Sequence, residues 1–141
     1  MVRSRYESGL KLLVIGIGGA LGATARLSID EIAATTFWDD GNTASWPWPT
    51  LIVNLIGCAL IGLAAAFIEP TSRTWTFAVT GVLGGFTTYS AFAVEVDQLV
   101  DGGRAALAVV YVAVTLLGGV SATVAGARRA TEPPVPRQAI E

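Results

Sequence analysis

Gly84-Gly85-Phe86-Thr87-Thr88-Tyr89-Ser90-Ala91-Phe92 lies in the middle of an apolar run of membrane-spanning length. Two adjacent glycines and two threonines are weak helix formers, the glycines weaker still, so a break is predicted here. One half-helix then reads Trp75 to Leu83 and the other Thr87 to Leu99. In lipid a broken helix survives only where protein or a water-filled cavity receives the freed backbone groups. An interruption at membrane depth therefore points to a transport or ion site, and to something small crossing the bilayer. Carbonyl oxygens released near the break suit a hard cation, and half-helix ends can hold sodium. Past the break, Tyr89, Phe92 and Glu95 recur at three-residue steps along one helical stripe. That stripe reads either as packing or as the wall of a path. Glu95 is costly inside a bilayer and has to be paired, protonated or close to water.

The surrounding sequence supports a membrane protein. The 141 residues carry 14% charged side chains, where a soluble domain averages about 25%, and the mean hydropathy is +0.59. Four apolar runs, 10–29, 50–68, 75–96 and 104–127, each approach the roughly 20 residues a spanning helix needs. The expected architecture is all-α, with one four-span unit over 1–127 and a disordered, proline-containing tail over 128–141. The basic N-terminus (Arg3, Arg5, Lys11) imitates a signal peptide, and the small residues at Ala23 to Ala25 imitate its cleavage site. The run is full-length, however, and its glycines recur at packing spacing, so it is read as a span. No soluble catalytic domain fits, histidine is absent and Cys58 is alone. Cys/His or Ser/His catalysis and the common zinc sets therefore have no candidates. No enzyme and no nucleic-acid partner are expected.

Each span has its own polar or small-residue signal. In the first, Gly18 and Gly22 are four apart, as are Gly19 and Ala23, the spacing that lets two helix backbones approach closely. Arg26, near the end of that span, either snorkels to the interface or faces a water-filled mouth that attracts anions. The loop from Asp30 to Pro49 holds Trp38, Trp46 and Trp48 and is expected to rest on the bilayer surface. Pro47 and Pro49 suit a helix start at the second span. Asn54 is the strongly polar residue of that span, and two readings stand: an interhelical hydrogen bond, or a pore-lining amide that donates to a passing anion. Gly57 and Gly62 imply close packing on the same helix. In the fourth span Tyr111 and Thr115 are one turn apart and precede Gly118 and Gly119. Their hydroxyls either bond the preceding turn or form a short donor ladder.

Three elements in series resemble the CrcB/Fluc family of fluoride channels: Gly18 to Arg26, Thr50 to Gly57, and Gly84 to Phe92. The resemblance covers all four spans in order. It implies four-helix subunits paired as an antiparallel dimer with two narrow fluoride pores. It also implies a structural sodium ion on the dimer axis, held by backbone carbonyls that fall here on Gly84 and Thr87. The family's pore asparagine matches Asn54, its two pore phenylalanines match Tyr89 and Phe92, and its hydroxyl positions on the last helix match Tyr111 and Thr115. Tyrosine at 89 and Gly119, where the family has a further hydroxyl, are departures from the pattern.

Fluoride is small and holds its water tightly, so a selective pore must supply replacement donors. The Asn54 amide and the Thr88, Ser90 and Tyr111 hydroxyls can donate, and the positive edge of the Phe92 ring can face an anion. The function implied is passive fluoride export that lowers cytoplasmic fluoride. Two alternatives are a small four-helix multidrug or proton-coupled exporter, whose deep carboxylate would have to be Glu95, and a non-transporting membrane partner in which every motif is packing. Four spans put both termini on one side, with seven of the nine Lys and Arg residues against Arg26 and Arg104 on the other. This excess predicts termini in the cytoplasm, and with a fixed orientation an inverted homologous partner stands beside the homodimer.

Overall fold

The structure, a computed structural model, describes residues 2–37 and 46–129, with side chains from residue 8 to 32 and from 46 to 129. Among the described residues every regular element is helical. They are α1 (Val2–Phe37), α2 (Trp48–Phe67), α3 (Arg73–Trp75), a π-helical segment (Thr76–Leu83), α4 (Gly84–Phe86), α5 (Tyr89–Asp101) and α6 (Ala105–Arg129). Four stretches are long and apolar enough to cross a membrane: Ser8–Ile32, Trp48–Phe67, Arg73–Asp101 and Ala105–Arg129. The third of these contains α3, the π-helical segment, α4 and α5, and is bent at its middle.

Local sequence sets the boundaries. Pro47 precedes α2 and Pro49 stands in its first turn, where a missing N–H leaves no helical bond unmade. Ser72 opens the third span by accepting from the Trp75 N–H at 3.0 Å, a serine N-cap. The turn into α6 uses Gly103 at φ +72°, a conformation that side chains rarely adopt.

The helices pack as two pairs. α1 lies on the first half of the third span, where Gly22 leaves no room for a Cβ: one would strike the Val82 carbonyl and come within 2.8 Å of the Phe86 nitrogen. A Cβ on Gly85 would strike the Gly19 carbonyl. The glycine spacing of α1 is therefore a backbone-on-backbone contact, as small residues permit in a bilayer. In the second pair α2 lies on α6, with Gly62 against the Thr123 carbonyl and Gly126 against the Ala59 carbonyl. α5 covers one end of this second pair, where Leu51, Leu99, Ala108 and Tyr111 are buried with Phe92, Val96 and Trp46 around them. Much of the remaining apolar surface points outward, Leu12, Phe67 and Leu117 each being 70% exposed. In water that surface would be an aggregation hazard, whereas hydrocarbon is its natural solvent.

Four expectations change. The break falls at Thr87 and Thr88, not at the glycines: Gly84 and Gly85 remain helical, and Gly85 serves the contact with α1. Residues 30–37 continue α1 instead of beginning a loop, and residues 128 and 129 complete α6 instead of opening the tail. Trp46 packs edge-on against Tyr111, with ring centroids 5.5 Å apart, so it belongs to the bundle, while Trp48 is exposed. The expectations for Trp38 and for the tail from residue 130 lie outside the described residues.

Candidate functional site: a polar groove beside the helix break

The break consists of two extended residues, Thr87 (φ −75°, ψ 155°) and Thr88 (φ −139°, ψ 125°). The Asn54 side chain holds it at two points. Its Nδ2 donates to the Thr88 carbonyl at 2.9 Å, and its Oδ1 accepts from the Thr88 N–H at 2.8 Å. Each such bond contributes about 0.5–1.5 kcal/mol, and an unsatisfied buried group costs more than a bond gains. The amide therefore replaces what the helix loses. Thr88 then caps α5, its hydroxyl accepting from the Ala91 N–H at 3.2 Å.

This rearrangement frees the carbonyls of Gly84, Gly85, Phe86 and Thr87, to which no helical backbone N–H bonds back among the described residues. In an unbroken helix the Thr88 N–H would bond the Gly84 carbonyl, and the Ala91 N–H would bond the Thr87 carbonyl. Both N–H groups are taken by side chains instead. Gly84 and Thr87 are thus left with carbonyl oxygens that have lost their helical partners. Oxygen donors of this kind fit a hard cation such as sodium. The Thr87 hydroxyl is occupied, donating back to the Leu83 carbonyl at 3.0 Å.

Asn54, Thr87, Thr88, Tyr89, Phe92 and Thr115 line one open groove of about 530 Å³ bounded by α2, the break, α5 and α6. Asn54 keeps a second N–H beyond the one given to Thr88. The Thr115 hydroxyl is buried and has no partner of good hydrogen-bond geometry among the described residues, its polar neighbour being the Tyr111 hydroxyl. Phe92 stands between two rings, 6.0 Å from Tyr89 and 5.3 Å from Tyr111 by centroid. Ser90 is exposed beside the groove, its hydroxyl 3.2 Å from that of Thr88.

Glu95 and Tyr111 sit apart from the groove lining. Tyr111 is fully buried, and its hydroxyl donates to Glu95 Oε2 at 2.6 Å. Thr50 donates to the other carboxyl oxygen at 2.5 Å. Of the three options open to Glu95, the structure takes pairing, with one hydroxyl from α2 and one from α6. The Tyr111 proton is committed to that carboxyl group. Arg26 is likewise outside the groove, donating to Asp30 one turn on at 3.4 Å.

Sequence reading missed Thr50, Cys58 and Thr123. Thr50 stands one turn before Asn54 and Cys58 one turn after it, so helical spacing from Asn54 was the available signal. The π-helical segment had none.

Four spans, one of them interrupted and pinned by an asparagine next to a polar groove, define a small helical membrane protein with a candidate ion site between its helices. The chain belongs to the CrcB family: the profile described as "CrcB-like protein, Camphor Resistance (CrcB)" matches residues 13–127. It is 41% identical over 124 residues to a fluoride-specific ion channel FluC of Bordetella petrii, across 83% of this chain and 88% of that one. It is 42% identical over 107 residues to fluoride-specific ion channel FluC 2 of Streptomyces avermitilis, across 73% of this chain and 64% of that longer one. A FluC of Francisella philomiragia is 34% identical over 126 residues, across 84% of this chain and 92% of that one.

Proposed function

We propose that the protein is a passive, fluoride-selective channel, and not an enzyme, that releases fluoride from the cell. The observation that carries this reading is the groove, where an amide N–H of Asn54, the Thr115 hydroxyl and the Phe92 ring stand together at membrane depth. A dehydrated fluoride needs strong donors at close range, and charge-assisted hydrogen bonds are the strong kind. Ring edges add a weaker, directional attraction. Chloride is larger and a poorer acceptor, so a path tuned by few donors favours fluoride. The groove holds no carboxylate among its lining residues, and Glu95 is tied to Thr50 and Tyr111. That arrangement argues against a proton-coupled exporter. Purified protein in liposomes should release fluoride down its gradient, read with a fluoride electrode. Chloride release at a comparable rate would overturn the selectivity.

The open side of the groove and the apolar outer surface fit an antiparallel dimer, formed with a second copy or with an inverted homologous subunit. Sodium on the dimer axis would be held by the carbonyls of Gly84 and Thr87, which are among those that the break releases. The expected readout is a melting temperature that falls when sodium is replaced by a large organic cation, and an unchanged value would rule the site out. The Lys and Arg excess fits cytoplasmic termini. Labelling of each terminus in cells tests this, and equal labelling on both sides would mean dual insertion.

A further inference from the structure

We propose that the Cys58 thiol is an ion-path residue that supplies the donor at the level of Gly119. This inference rests on the channel reading above and extends it along the groove. α2 and α6 run side by side in step: Leu55 meets Gly118, Cys58 meets Gly119, and Gly62 meets Thr123. Asn54 is therefore level with Thr115, and the next level is Cys58 with Gly119. All four line the groove, and residues four apart share a helical face.

A count of available protons along this wall leaves one gap. At the first level the Asn54 amide retains an N–H, and the Thr115 hydroxyl is buried without a partner of good geometry. At the second level Gly119 has no side chain. At the third, the Thr123 hydroxyl spends its proton on the Gly119 carbonyl at 2.9 Å. The intervening α6 residues that line the groove, Leu116 and Val120, are apolar. An anion leaving Asn54 toward Thr123 thus meets one uncommitted side-chain donor on this wall, the Cys58 S–H. A thiol is a weak donor, but a charged acceptor strengthens any hydrogen bond. The sulfur also occupies the space that Gly119 leaves, since a Cβ on Gly119 would lie 3.3 Å from Sγ and meets nothing else within 4 Å.

The test uses the full chain in liposomes, with fluoride efflux as the readout. Cys58→Ser keeps a donor of similar size and should hold efflux within about threefold of the unmodified protein, whereas Cys58→Ala should lower it about tenfold, the scale of one lost hydrogen bond to a charged group. Adding Gly119→Ser to Cys58→Ala puts a hydroxyl into the vacated space from the opposite helix and should restore most of the loss. Methyl methanethiosulfonate caps the chain's single thiol; it should inhibit the unmodified protein and leave Cys58→Ser unaffected. Wild-type efflux in Cys58→Ala would overturn the proposal. A loss that Gly119→Ser does not repair would assign Cys58 to packing alone. No efflux from the unmodified protein would instead remove the channel reading, and this inference with it.

Discussion

The two halves of the third span are held by opposite means. The half before the break presents bare backbone to α1, with Gly22 against Val82 and Gly85 against Gly19. The half after it is held by side chains: Glu95 accepts hydrogen bonds from the Thr50 and Tyr111 hydroxyls, and Phe92 packs beside Tyr111. Between them the Asn54 amide fastens the break. A glycine interface is stiff and tolerates no added atom. A side-chain interface can exchange partners and can leave a proton to spare. The proposed ion site lies on the second kind.

The largest effect is expected at Gly22. Gly22→Val would drive a branched side chain into the Val82 carbonyl and the Phe86 nitrogen, backbone atoms that cannot step aside. Overpacking costs typically about 1–3 kcal/mol even where side chains can yield. The expected result is loss of folded protein, seen as aggregation on size exclusion and loss of the thermal transition. Gly84→Ala is the internal control, because its Cβ would meet only the Val79 carbonyl oxygen at 3.7 Å. If Gly22→Val folds as well as Gly84→Ala, the backbone contact is not what joins α1 to the third span.

On the other half, Phe92→Ile should reduce fluoride efflux by about two- to tenfold while the thermal transition stays in place. Isoleucine keeps most of the bulk but has no polarised ring edge, and such an edge is worth about 0.5–1.5 kcal/mol in aromatic pairs. Full efflux from the variant would return Phe92 to a packing role beside Tyr111.

The difference between the halves also explains what the sequence could and could not reveal. Glycine spacing is a one-dimensional signal, because a helix has one period, so the contact face of α1 was legible from Gly18 and Gly22 alone. The four spans followed from run length in the same way. Which partner satisfies Glu95 was not legible: Thr50 lies 45 residues away, and only the packing of α2 against α5 makes them neighbours. The position of the break was misjudged for a related reason. Propensity marks Gly84 and Gly85 as the weakest helix formers, but both remain helical, with Gly85 packed directly on the α1 backbone. The break moves to Thr87 and Thr88, where Asn54 offers replacement bonds. Tyr111 shows the same limit, since its position on the last helix suggested a donor for the ion and packing gave its proton to Glu95.

A smaller effect is expected at the carboxyl group itself. Glu95→Ala removes the acceptor of both hydroxyls, and Tyr111 is fully buried, so a stranded donor costs about 1–3 kcal/mol. The melting temperature should fall, with Glu95→Gln closer to wild type because its side-chain oxygen still accepts one of the two bonds. Neither change should make fluoride efflux depend on a proton gradient at neutral pH. Efflux that does become gradient-dependent, or that is abolished in a stable Glu95→Gln protein, would place the carboxyl group in the transport path.

The smallest effect is expected at Tyr89. The side chain is 80% exposed in the protomer, yet it lines the groove and lies 6.0 Å from Phe92 by ring centroid. Tyr89→Phe removes one oxygen and leaves the ring, its edge hydrogens and its contact with Phe92. If the ring edge is what an ion meets, efflux should stay within about twofold of wild type, because no edge interaction of the kind that favours offset aromatic contacts is lost. The melting temperature should also hold, since an exposed hydroxyl has water to bond and no buried partner to strand. Loss of efflux with stability unchanged would mean that the hydroxyl donates to the ion. The groove would then recruit a proton from α5 as well as from α2 and α6, and the side-chain half of the third span would be a conducting wall along its exposed edge too.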